Sequence, residues 1–305
     1  MALGPKPKTA SGYSADHTDA CEQVLVTLLG AFGTLKSTVR LVGGLVPRYL
    51  TPETPPDVPA HAGTSDVDVV LNLQVIADGK GYASLATQLT DRGFEPVFKP
   101  NGWTTGWQWK RRISDHEYVQ VDFLRGAEDT EPGSKILIEG EAVSALSVQF
   151  AEITHNWFDE RQIKAPLLDG GGIAVENIRY ANLVAFIILK ALAFDGRGEP
   201  KDAGDLIHVM QYAGPPSHVA SQFVEKLKSE EHRDAIDAGL DALQRKFGEG
   251  NNVEGYLLTG PVKYAQFHHG NDDEPTDEHI GYQRFATGLV TEVLRLIRQE
   301  MSPGT

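Results

Sequence analysis

The segment Asp66–Leu73, D-V-D-V-V-L-N-L, constrains this chain more than any other stretch of it. Its β-branched density and alternation read as a strand, and a strand sends successive side chains to opposite faces. Asp66 and Asp68, at i and i+2, therefore share one face, and Val67 between them points the other way.

The flanking pattern supplies a sheet for that strand. Asp16–Lys36 carries apolar residues at helical spacing (Val24, Leu25, Leu28, Leu29, Phe32) and leads into a short apolar strand, Val39–Val42, closed by Gly43-Gly44. The stretch Pro47–Gly63 holds Pro47, Pro52, Pro55, Pro56 and Pro59 and reads as a loop insertion, since proline interrupts both helix and central strand. Beyond Leu73, Gly81–Arg92 has the spacing of a helix. The runs Glu95–Lys99, Thr105–Ile113 and Tyr118–Leu124, separated by P-N-G and S-D-H turn signals, predict an antiparallel meander. A shorter helix is expected around Glu141–Ile153. The turn Asp169–Gly172 then lies between two short β-like pieces, and Glu176–Phe194 reads as a long helix, apolar nearly all round. Helices follow at 200–213, 215–229, 231–247 and 278–301. The expectation is an α/β chain in three parts: a disordered arm over 1–15, a mixed-sheet core over 16–165, and a mainly helical region over 166–305.

Charge limits the partners. With 28 Lys+Arg against 42 Asp+Glu the net charge is −14, so the chain as a whole repels a phosphate backbone and any nucleic-acid contact must be local. The longest apolar run, near 181–194, contains Lys190 and is too short to cross a bilayer. The first residues lack the apolar stretch of a secretory signal, and Cys21 is the sole cysteine, so a cytoplasmic location is expected.

Two carboxylates on one strand face suit one or two hard cations, although a polar strand start yields the same D-x-D. Asp122, in V-Q-V-D-F-L, adds weight, because a charge among apolar residues is costly unless it is paired or on a metal. If its strand lies beside Asp66–Leu73, three acids converge; otherwise Asp122 is an edge-strand residue facing water. Gly43-Gly44 allows backbone N–H groups close to a phosphate, and Ser65 can hydrogen-bond one or simply cap the turn. Lys190, the one charge in a very apolar helix, calls for an anion such as a triphosphate, or else snorkels to water. Asp202 and Asp205, at i and i+3, share a helix face from which to orient Lys190, Arg197 or a base. The run Lys99–Arg112 interleaves Trp103, Trp107 and Trp109 with Lys110, Arg111 and Arg112, a candidate acceptor-RNA surface. Alternation equally allows Trp107 and Trp109 in the core with Lys110 and Arg112 facing water. Other motifs carry less. Gly30–Ser37 misses the phosphate-loop spacing, Cys21 reads as a small buried helix residue, and His268, His269, Asp272, Asp273 and His279 read as an exposed loop without regular ligand spacing.

Gly-Gly, then T-S-D-V-D on a strand, then a lone aspartate on a later strand, resembles the DNA polymerase beta-like nucleotidyltransferase superfamily. The run Ala185–Ala193, A-F-I-I-L-K-A-L-A, followed by Arg197 and Lys201–Leu206, K-D-A-G-D-L, is similar to the lysine helix and K-D-x-x-D-L segment of AbiEii-type and MenT-type toxin nucleotidyltransferases. The resemblance covers about residues 39–210, with a longer gap between Gly44 and Asp66 than the family usually has. It implies a nucleotidyltransferase-fold mixed sheet joined to a helical C-terminal region. It also implies Mg²⁺- or Mn²⁺-dependent transfer of a nucleoside monophosphate from an NTP to an acceptor hydroxyl. In that scheme Asp66, Asp68 and Asp122 hold metal, Asp122 activates the acceptor, and Gly43, Gly44, Ser65, Lys190, Asp202 and Asp205 serve the nucleotide. The toxin resemblance implies a tRNA acceptor and a cognate antitoxin protein. An antibiotic-modifying nucleotidyltransferase and a catalytically inactive interaction protein are the alternatives.

Overall fold

Alternation of buried valine with aspartate makes Asp66–Val70 (β2) a central strand, and its neighbours arrange themselves around it. The computed structural model describes residues 6–73, 84–138, 142–249, 254–270 and 276–302. Two units partition the chain: one gathers Ser14–Val46 and Gly63–Asn182, the other Lys6–Tyr13, Pro47–Ala62 and Leu183–Thr305.

In the first unit, nine strands among the described residues form one mixed sheet. Strand β1 (Arg40–Val42) pairs antiparallel with β2, and β2 pairs parallel with β5 (Tyr118–Gly126). The strands β3 (Phe94–Phe98), β4 (Thr104–Arg112) and β5 form the antiparallel meander that the turn signals predict. Helix α1 (Ala15–Phe32) covers one face of this sheet: Val67, Val69, Val119, Val121 and Phe123 are fully buried on it, and Phe123 meets Phe32 edge-on with ring centroids 6.0 Å apart. Because the strand period is two, the acids that alternate with these residues stand on the opposite face. Ser14 caps α1 by accepting from the His17 N–H, and the helix ends at Gly33, beyond which a 3-10 turn continues to Thr38. The short helix α2 (Pro47–Leu50), assigned to the other unit, follows β1, and α3 (Leu85–Asp91) precedes β3.

The expected helix at Glu141–Ile153 is not observed: after β6 (Lys135–Leu137), the stretch holds β7 (Ser144–Val148) and the start of a 3-10 turn at Ala151–His155, while residues 139–141 lie outside the described ones. Pairing decides the matter, since β7 finds a parallel partner in β5, with Leu146 beside Leu124. The helix expected from Glu176 likewise begins later. β8 (Phe158–Pro166) and β9 (Ile173–Ala181) form a long antiparallel pair, and β9 is locked beside β1 at Leu41, so the chain stays extended through Ala181. The boundary between sheet and helical regions therefore falls after Asn182, not at 165.

The second unit is built on α4 (Leu183–Arg197), α5 (Pro200–Tyr212), α6 (Pro216–Ser229), α7 (Arg233–Lys246), α8 (Thr259–His269) and α9 (Asp277–Met301). Helix α8 is not anticipated by the apolar spacing; it places His268 and His269 in its last turn, whereas Asp272 and Asp273 lie outside the described residues. The proline-rich stretch begins helically, with Pro47 at the first position of α2, where its missing N–H forfeits no bond; the insertion is assigned to this unit. Much of the expected arm is ordered too: Ala10–Gly12 make a 3-10 turn and Tyr13 packs against Phe267, ring centroids 6.2 Å apart. Residues 1–5 lie outside the described ones. Among the described residues no helix is long and apolar enough to cross a membrane.

Candidate metal centre

The parallel register of β2 and β5 sets Asp68 beside Asp122 and Asp66 beside Gln120. One ligand oxygen from each of Asp66, Asp68 and Asp122 lies within 4.8 Å of the others, so residues more than fifty positions apart form one carboxylate cluster. Asp66 and Asp122 are buried and Asp68 is half-buried. Three oxyanions this close repel one another, and hard divalent cations such as Mg²⁺ are the ligands that such an all-oxygen set accommodates.

Neighbouring polar groups fix the carboxylates. Gln120, two residues before Asp122 on the same face, donates from Nε2 to Asp122 Oδ1 at 2.6 Å, and Gln108, its cross-strand partner on β4, donates to the same oxygen at 3.4 Å. The Thr64 hydroxyl donates to Asp66 Oδ1 at 3.0 Å. None of these three was singled out from the sequence, although Gln120 and Thr64 sit at i−2 of their acids, a relation visible once the strands are known. Ser65 is half-buried, and its carbonyl lies 3.3 Å from His17 Nε2. Cys21, fully buried on α1, donates weakly to the Thr64 carbonyl at 3.8 Å. Burial first, then the charges of Asp66 and Asp68, hold its thiol far above the ordinary range, so it stays protonated.

Gly43 closes the cluster from β1, whose Val42 is registered with Asp68. It adopts φ +74°, and a Cβ built there stands 2.0 Å from Asp68 Oδ2 and 2.8 Å from Asp68 Cγ. Glycine is required twice over, for the backbone angle and for the close approach. Gly44, beside it, is buried in the 3-10 turn Gly43–Leu45. The long insertion thus leaves Gly43 against Asp68, because it departs after Val46 and the chain rejoins this unit at Gly63.

Lys190, Asp202 and Asp205 come together in the second unit. Lys190 Nζ lies 3.0 Å from Asp202 Oδ1 and 2.7 Å from Asp205 Oδ2; Arg197 grips Asp202 at 2.6 and 2.8 Å; Lys201 reaches Asp205 Oδ1 at 2.5 Å. His61, which the sequence did not flag, donates from Nε2 to the same Asp205 oxygen at 2.8 Å. Burial alone would favour a neutral amine, yet Asp205 and Asp202 outweigh it and hold the Lys190 ammonium above its usual range. Burial likewise opposes ionisation of Asp205, but Lys190, Lys201 and His61 overcome it and hold the carboxyl well below the usual range. The anion that a buried lysine demands is supplied by the helix that follows it.

The aromatic-basic run splits between faces. Trp109 and Arg111 are buried, whereas Gln108, Lys110 and Arg112 alternate with them on the face that carries Asp122. Lys110 is 3.4 Å from Glu95 and lies over the Tyr118 ring; Arg112 pairs with Asp115 at 3.0 Å. Lys110, Arg111 and Arg112 therefore do not make one surface. Trp103 stands apart, 73% exposed at the β3–β4 turn.

No protein family matches this chain, and no curated protein matches it either. Among solved structures, the crystal structure of JHP933 from Helicobacter pylori is similar over 94% of this chain and 96% of its own, with 10% sequence identity and a TM-score of 0.40. At that level of overlap neither fold nor function transfers.

Proposed function

We propose that this protein is a divalent-metal-dependent nucleotidyltransferase that moves a nucleoside monophosphate from an NTP to an acceptor hydroxyl. The observation that carries the reading is the convergence of Asp66, Asp68 and Asp122 within 4.8 Å, against a glycine whose missing side chain leaves Asp68 its place. Mg²⁺ or Mn²⁺ held by these three carboxylates would neutralise triphosphate charge and polarise the phosphorus under attack. Asp122 is the base for the acceptor hydroxyl, its carboxylate held in orientation by Gln120 and Gln108. Thr64 holds Asp66 in the same manner, and Ser65, next in the chain, is the candidate phosphate donor. Catalysis of this kind rests on positioning and charge neutralisation, which a rigid sheet face provides. A tRNA acceptor, a toxin role and a cognate antitoxin enter this reading through the sequence resemblance alone.

The test is incubation of the full chain with Mg²⁺, each α-labelled NTP in turn, and either total RNA or an aminoglycoside. Label in RNA with at least one NTP, lost in Asp68→Ala, supports the reading. Label in the aminoglycoside alone makes the acceptor a small molecule. Absence of labelling in both, together with absence of Mg²⁺-dependent NTP binding, refutes it.

A further inference from the structure

Helix α1 carries one stripe of residues that changes character along its length. From Cys21 onward the stripe is apolar and buried, with Val24, Leu25 and Leu28. Its beginning is polar instead: the cap Ser14, then His17 and Thr18, stand at i, i+3 and i+4, on the side that Cys21 continues at i+7. Thr18 is buried along with the apolar residues. Polar groups on a packing face are costly unless they are hydrogen-bonded, so their partners show what the stripe does.

Those partners lie in the turn that leads into β2. Thr18 Oγ1 accepts from the Thr64 N–H at 3.1 Å while donating to the Ser14 carbonyl at 3.0 Å. His17 Nε2 donates to the Ser65 carbonyl at 3.3 Å, and the weak bond from Cys21 takes the Thr64 carbonyl. Three backbone groups of two consecutive residues are thus held from one side of one helix. Gly63 shows how close the approach is: it sits at φ +104°, and a Cβ built there would stand 2.3 Å from Thr18 Oγ1. A side chain at that position would push the turn off Thr18.

What the turn carries is the metal site. Asp66 follows Ser65 directly, and the Thr64 hydroxyl, on the backbone that Thr18 holds, donates to Asp66 Oδ1 at 3.0 Å. Ser65, the candidate phosphate donor, sits between the two. Helix capping accounts for the bond from the His17 N–H to Ser14, but not for side chains that reach 46 and 48 positions along the chain.

We propose that Thr18 and His17 are positioning residues of the metal centre: from α1 they set the Thr64-Ser65 turn, and through it the aim of the Asp66 carboxylate and the Ser65 hydroxyl. The inference rests on the metal-site reading and extends it to a helix that supplies none of the three carboxylates.

The test is Mn²⁺ titration of the full chain without nucleotide, followed by loss of the free-ion EPR signal, at a temperature where each variant is folded. Thr18→Val keeps the shape and removes the acceptor, and should weaken Mn²⁺ binding about tenfold. Thr18→Ser keeps the hydroxyl and should bind as the wild type does. Thr64→Val should weaken binding too, and adding Thr18→Val to it should change little, because the two residues act along one route. A merely structural threonine would lower the urea midpoint and leave the affinity of the folded protein unchanged. His17→Leu, at a half-buried position, gives a second reading should Thr18→Val not fold; loss of its one hydrogen bond is expected to weaken binding about two- to tenfold. Wild-type binding with affinity unaltered in Thr18→Val, or in His17→Leu where only that variant folds, overturns the inference and leaves the metal centre standing. Full additivity of the two valine variants overturns it as well. Failure of the wild type itself to bind Mn²⁺ overturns both readings.

Discussion

Replacing Gly43 by alanine separates a functional glycine from a merely flexible one. Two costs are expected. Alanine at positive φ is strained, by about 1–2 kcal/mol in the left-handed helical region, and Gly33, at φ +54° and ψ −120°, carries a backbone penalty of its own. A Cβ at Gly33 meets nothing within 4 Å, so Gly33→Ala measures the backbone penalty by itself. At Gly43 the Cβ would stand 2.0 Å from Asp68 Oδ2, where ordinary contact begins at 3.4 Å, so the carboxylate must retreat by more than an ångström. Displacing a metal-site group on that scale is expected to weaken divalent binding about 10- to 100-fold and transfer by about 100-fold. Urea unfolding of both variants gives the stability terms, and Mg²⁺ titration followed by thermal unfolding gives the affinities. If Gly43→Ala binds Mg²⁺ as tightly as Gly33→Ala and keeps its rate, the argument from close approach is wrong.

Three further outcomes follow from the charged groups. Without metal, Asp68→Asn should stabilise the fold by about 1–3 kcal/mol by relieving carboxylate repulsion; Mg²⁺ at a hundredfold excess over its Kd should add about 2.7 kcal/mol to the wild type and almost nothing to the variant. A metal-free variant less stable than wild type in urea would count against the cluster. Lys190→Met should cost about 3–5 kcal/mol, because Asp202 and Asp205 stay buried with less compensation, and adding Asp205→Asn should recover part of that loss; a neutral single variant in the same unfolding assay contradicts this. Burial lowers His61, His155 (to about 4) and His208 (to about 3) from an ordinary 6.5. The folded state thus refuses protons that the unfolded chain takes up. The stability these histidines contribute is present above pH 6.5 and is lost as pH falls below it, by up to about 1.4 kcal/mol per pH unit for each. Urea midpoints at about pH 7.5 and about pH 5.5 check the sign, and an unchanged midpoint would contradict it.

The sequence errors have a common origin. Ser144–Val148 and the first half of Glu176–Phe194 carry enough apolar residues to pass for helix, and only a partner strand distinguishes the alternatives. Leu146 finds Leu124 and Leu41 finds Tyr180, contacts that no local window contains. Helix α8 was missed for the opposite reason: its buried Tyr264, Ala265 and Phe267 are preceded by Lys263 and interrupted by Gln266, so the apolar stripe is weak.

By itself the chain order determined which residues are chemically able to form a site. The two-residue period of D-V-D put Asp66 and Asp68 on one face, and the cost of isolating Asp122 among apolar neighbours demanded company for it. It determined equally that a lysine in so apolar a helix needs an anion. What only the tertiary structure decided was who keeps company with whom. The parallel register of β2 and β5 brought Asp122 beside Asp68, and Lys190 found its counter-charges in Asp202 and Asp205. Thr18 meets Thr64 across 46 positions, so no single stretch announces the contact. Periodicity is a property of neighbours along the backbone, whereas pairing and tertiary contacts arise from loop closures between distant segments, whose free energy is settled by packing.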